Sequence, residues 1–118
     1  MATPNIVNVA TINAKNAAGA ITTSRASAVD VPAEKVAKIN TILIANIDGT
    51  NAADVTIEVS IDNGSNYVAI AKTISVPADA TLLFLENPIF LDETDLLAVT
   101  ASANSDLTYF VSYEEITD

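Results

Sequence analysis

Asp54-Val55-Thr56-Ile57-Glu58-Val59-Ser60-Ile61 alternates without a break. Val55, Ile57, Val59 and Ile61 form one apolar face. Thr56, Glu58, Ser60 and Asp62 form the polar one. A period of two is the pattern of a half-buried antiparallel strand. The next residues, Asp62-Asn63-Gly64-Ser65-Asn66, accommodate the positive φ that tight connections need. Tyr67–Val76 then returns as a second strand. This hairpin sets the expectation for the whole chain, which is all-β.

Outward from it, punctuation recurs at sandwich-like spacing. Turns are expected at Asn13–Gly19, Ser27–Lys35, Asp48–Ala53, Asp62–Asn66, Pro77–Asp79, Glu86–Pro88, Asp92–Thr94 and Ala103–Asp106. Between them lie about eight strands. They are Ile6–Ile12, Ala20–Arg25 (resuming at Val29–Val31), Val36–Ile47, Asp54–Ile61, Tyr67–Val76, Thr81–Glu86, Leu96–Ser102 and Leu107–Glu115. A short extended piece, Ile89–Leu91, follows Pro88, and Pro32–Lys35 has room for one helical turn. Ile, Val and Thr make up roughly a third of the chain, which suits pleated surfaces. No stretch keeps the i, i+3, i+4 apolar stripe of a helix. The fold expected is a single β-sandwich over residues 1–118, Ig-like or jelly-roll-like, with 1–5 as an N-terminal arm and Asn13–Gly19 as a second arm-like segment.

Composition narrows the function. The 118 residues are 50% hydrophobic, so the chain can build a core despite its net charge of −10. It has no Cys and no His, which removes thiol and imidazole catalysis, disulfides and zinc sites of the usual ligands. Five basic residues against fifteen acidic ones disfavour nucleic acid as a partner. No apolar run approaches the ~20 residues of a spanning helix, and Met1–Asn5 lacks the basic and apolar regions of a secretory signal. No membrane partner is expected.

The polar clusters read as structure. Asp62, Asn63 and Asn66 around Gly64 lack the further spaced ligands and closing Glu of a calcium loop. Asp92-Glu93-Thr94-Asp95 reads as a solvated turn. Glu114 and Glu115 are adjacent, so on a strand they face opposite ways and cannot act as a catalytic pair. Tyr67, Tyr109 and Tyr113 could stack on sugars, but Tyr109 and Tyr113 share the apolar face of the last strand, and packing is the expected role. The three glycines are too scattered for a phosphate loop. No catalytic, cofactor or metal site is expected, and the chain is read as no enzyme.

Some strands are apolar on both faces. Ile39 and Leu43 point one way in the third strand, and Ile42 and Ile44 the other. Leu82–Leu85 and Leu96-Leu97 behave alike. Either loops or the other sheet cover these strands, or a subunit interface covers part of them. The outward interface candidates are Ile42, Ile44, Phe90 and Phe110, and the expected state is a homo-oligomer or a lattice-bound subunit.

Four stretches carry a resemblance. They are Val36–Ala53 (VAKINTILIANIDGTNAA), Ile74–Leu82 (ISVPADATL), Ile89–Asp95 (IFLDETD) and Leu97–Ile116 (LAVTASANSDLTYFVSYEEI). Together they resemble small virion structural proteins of tailed bacteriophages, especially marine and cyanobacterial ones. The resemblance implies a β-sandwich carried on the virion, with other capsid or virion proteins as partners, and the cysteine-free chain suits assembly in a reducing host cytoplasm. Such sandwiches serve as head decoration or cement and also as neck, tail and fibre modules, and the acidic balance, which packaged DNA would repel, puts decoration of the capsid exterior first. A neck, tail or fibre module, or a glycan-binding sandwich used in host recognition, is the alternative.

Overall fold

A computed structural model describes residues 9–85 and 87–117. Met1–Asn5, expected as an arm, lies outside them, as do the first three residues of the expected strand Ile6–Ile12. The described residues form nine strands and no helix. In chain order these are β1 (Thr11–Ile21), β2 (Ala26–Asp30), β3 (Val36–Asn46), β4 (Ala53–Ser60), β5 (Val68–Val76), β6 (Thr81–Leu83), β7 (Ile89–Leu91), β8 (Leu96–Ala101) and β9 (Leu107–Thr117). Two antiparallel sheets result. Sheet A runs β1-β9-β3-β6, with β7 also on the outer edge of β3, and sheet B runs β2-β8-β4-β5.

β6 and β7 pair with successive parts of β3, at Leu43–Ala45 and Ala37–Ile39. They are two halves of one interrupted strand. Counted so, the pairs are first with last, second with second-last, third with sixth and fourth with fifth. One long hairpin, folded at the β4–β5 turn and rolled up, gives that order. Of the two sandwich outlines expected, this is the jelly roll.

The core lies between the sheets. Ile21, Ile39, Ile42, Ile44, Leu107 and Val111 from sheet A meet Val55, Ile57, Leu97 and Val99 from sheet B, all fully buried. Each such side chain contributes roughly 1.5–3 kcal/mol on burial. The alternation in β4 holds as read for Val55 and Ile57, which face inward. Asn46 closes one end of the core. Its Nδ2 donates to the carbonyls of Asn51 and Val76, both at 2.9 Å, and its Oδ1 accepts from the Asp48 N–H. It ties β3, the β3–β4 turn and β5 together.

Several boundaries differ from expectation. Asn13–Gly19, expected as a turn or arm, is the middle of β1. Its residues are poor strand formers, but β9 offers eleven consecutive partners from Thr11↔Thr117 to Ile21↔Leu107, and pairing overrides propensity. Gly19 lies against a ring, since a Cβ there would come within 3.4 Å of Tyr109. The turn falls later, at 22–25, where a strand was expected, and β2 occupies part of the expected turn Ser27–Lys35. Pro32–Lys35 makes a turn with Glu34 at φ 65°, not a helical one. The strand expected over Thr81–Glu86 stops at Leu83.

Candidate assembly surface

The outer face of sheet A is built by register. Ala18 pairs with Phe110, Phe110 with Leu43, and Leu43 with Leu83. These four form an apolar band across all four strand positions, with Phe110 38% and Leu83 62% exposed. The row on one side is Ala20, Thr108, Ala45 and Thr81, and the row on the other is Asn16, Ser112 and Thr41. None of these eleven residues is ionisable, in a chain of net charge −10. Charge returns one row further on, where Lys38 lies 3.9 Å from Glu114.

The outer face of sheet B is closed by the chain itself. Arg25 donates two hydrogen bonds to Glu58, Nε to Oε1 at 2.8 Å and Nη2 to Oε2 at 3.0 Å. Its guanidinium lies over the Tyr67 ring, 4.1 Å from the centroid. That is a bidentate pair with a cation–π contact. Ala98, the register partner of Glu58, is fully buried. Gly64, at φ 88°, sits on Leu96, where a Cβ would come within 3.3 Å of Leu96 Cδ1. The 61–67 loop is fastened by Asp62. Its Oδ2 accepts from Asn66 Nδ2, and its Oδ1 accepts from the Asn66 N–H and the Ser60 hydroxyl. These donors, Asn66 foremost, hold the Asp62 carboxyl below its usual range. The carboxylate is engaged within its own loop, as expected of a hairpin turn.

A third surface opens at one side of the sandwich, between edge strand β5 and the interrupted edge of sheet A. It is an apolar groove of about 520 Å³. Val59, Ile61, Val68 and Ile70 line one wall, and Phe84, Leu85, Ile89 and Phe90 the other. Asp95 borders it, buried, with Oδ2 accepting from the Asp92 N–H at 2.9 Å. Burial pushes the Asp95 carboxyl above its usual range, and the charge of Asp92 adds to the rise.

The interface candidates separate. Ile42 and Ile44 are fully buried in the core, which corrects the expectation that they face outward. The reason is a β-bulge at Asn40. Register with β9 passes from Ile39↔Tyr113 to Thr41↔Ser112, so one residue of β3 is extra and the alternation changes phase. Ile39, Ile42 and Ile44 therefore all point inward, and Leu43 takes the outward place. Phe110 and Phe90 are exposed as expected but serve different surfaces, the band and the groove. Leu43 and Leu83 join the band unforeseen. The doubly apolar character of their strands was the signal, read in the wrong phase.

The other singled-out residues fall as follows. Glu114 and Glu115 do face opposite ways. Glu115 is buried 3.5 Å from Lys15, and Glu114 is outside near Lys38. Tyr109 and Tyr113 pack on the core, and Tyr67 lies under Arg25. Among the described residues no three acidic side chains converge as metal ligands would.

No family model matches this chain, and no curated protein matches it in sequence. Solved structures do match in shape. One is a subunit of Bacillus endospore appendages, which form disulfide-linked pili. It is 14% identical with a TM-score of 0.56, over 91% of this chain and 87% of that one. Another is the core of Drosophila NLP, a pentamer-forming, histone-binding protein, 14% identical with a TM-score of 0.49, over 84% of this chain and 96% of that one. A pentameric capsid protein from metagenomic phage sequences is also similar, at 14% identity and a TM-score of 0.40, over 86% of this chain and 62% of that one. At such identities the appendage subunit establishes a shared two-sheet fold.

Proposed function

We propose that this protein is a non-enzymatic structural subunit of a phage virion that docks on the capsid exterior and holds neighbouring capsid subunits together. The observation that carries the reading is the contrast between the two faces. Sheet A presents an uncharged apolar band, and sheet B is sealed by its own loop and ion pair. An exposed apolar patch amid a strongly acidic surface is the mark of a docking face. The virion placement rests on the resemblance of the four stretches from Val36 to Ile116. The acidic balance supports an outer position, since packaged DNA would repel it. A clamp bridging two capsomers stabilises the assembled shell by its differential binding energy, and many copies add by avidity. A contact of roughly 800 Å² per partner serves each bridge. The disulfide linkage of the appendage pili is not open to this chain, which has no Cys.

The test is to delete the gene, heat the particles beside wild type, and add back protein. Heads lacking the protein should burst at a lower temperature. Wild-type protein should restore them, whereas the Phe110→Asp variant, folded but charged at the centre of the band, should not. Heads of unchanged stability with lost tail attachment or host adsorption would instead move the protein to the neck, tail or fibre.

A further inference from the structure

We propose that the free edge of β1 is a self-pairing site, through which two copies join their A sheets about a two-fold axis. A sheet edge presents unpaired N–H and C=O groups, and natural proteins blunt edges against pairing. Among the described residues three of the four edges are blunted. β2 has five residues and a bulge between Ser27 and Val29. β5 is bulged twice against β4, carries exposed Lys72, and holds Thr73 at φ 51°. β6 and β7 have three residues each and are separated by a segment containing Pro88. Of these devices β1 carries one alone, the exposed Lys15. It is eleven residues long, contains no Pro, and keeps one unbroken register with β9.

The occupant follows from this inventory. Among the described residues the chain offers one receptive edge, and a second copy brings the same one. Two copies therefore meet β1 to β1, which is antiparallel and isologous. The residues suit such a contact. β1 carries a single charge, Lys15, 3.5 Å from Glu115, so the seam strand brings no carboxylate of its own. Ala14, Ala17, Ala18, Gly19 and Ala20 are small and leave the edge open to approach. Centred on the middle of the strand, the pairing sets Asn16 opposite Asn16 of the second copy, with Ala14 opposite Ala18. Alternate residues point their backbone groups outward, so about ten hydrogen bonds form. The poor strand propensity of β1 is then supported from both sides. The two-fold axis is perpendicular to the sheet, so both apolar bands stay on one side of the pair.

The chain has no Cys, which gives a clean background for the test. Wild-type protein at roughly 100 μM should be a dimer by light scattering and sedimentation. Asn16→Glu, an exposed substitution that sets two carboxylates face to face, should weaken the dimer at least tenfold while circular dichroism stays unchanged. Asn16→Cys should yield a covalent dimer on mild oxidation, because directly opposite residues lie about 4.5–5.5 Å apart at Cα, within disulfide reach. Asp54→Cys, away from the seam, should not. A monomeric wild type, a ring or larger assembly, or a dimer indifferent to Asn16→Glu and uncrosslinked by Asn16→Cys would overturn the proposal. None of these readouts involves a virion, so failure here is distinct from failure of the capsid role.

Discussion

Asp95 is the residue whose chemistry departs furthest from its surroundings. It is a buried carboxyl beside an apolar groove, held by one backbone N–H of Asp92 and by the chain turn at Val31. Desolvation raises its native pKa above the unfolded value of 3.8. Between those two values the native state binds the proton better than the unfolded state, so this group destabilises the fold as pH rises. The penalty is fully present above the raised pKa and vanishes as pH falls toward 3.8. Asp95→Asn keeps an acceptor for the Asp92 N–H and removes the charge. In denaturant titrations the variant should be more stable than wild type at neutral pH, with the gap closing on acidification. A gap independent of pH would show that the carboxylate is not strained by burial. Asp48 and Asp62 act in the opposite sense. Their pKa values are lowered by hydrogen bonds, from the Thr50 N–H at Asp48 and from Asn66 at Asp62. Their contribution is present above 3.8 and lost as pH falls through the lowered values.

At the scale of elements, β3 decides which side chains the molecule shows. With the bulge at Asn40 in place, Leu43→Asp should leave the fold standing, because position 43 is partly exposed on the outer face. Ile44→Asp puts an unpaired carboxylate into a fully buried site and should cost about 4 kcal/mol or more, a large share of the stability of a small domain. Thermal melts of the two variants check this, and equal loss in both would contradict the assigned phase. The same bulge marks how far sequence reading reached. β4 and β9 were legible because their alternation is regular. β3 was legible as a strand but not in its facing, since one extra residue reverses every assignment beyond it. β1 was illegible for another reason. Its Ala, Asn and Gly residues carry no strand signal, and its structure comes from the far end of the chain, where β9 supplies its partners. The exposed aromatics Phe90 and Phe110 could be found from sequence, but their division between two surfaces required the register.

At the scale of the molecule, the jelly roll makes most of its pairings between distant segments, β1 with β9 and β2 with β8 above all. Loop closure must precede those contacts, so refolding should take milliseconds to seconds in stopped-flow measurements. A phase complete in microseconds would be at odds with this topology. The two outer faces add a consequence for growth. Arg25, Glu58 and Tyr67, with the 61–67 loop, cover the outer face of sheet B, whereas sheet A leaves its apolar band open. If the band is the docking face proposed above, the protein settles on a surface in a single orientation and turns the outer face of sheet B to solvent. The next arrivals find no foothold on top, so coverage stops at a monolayer whatever the supply.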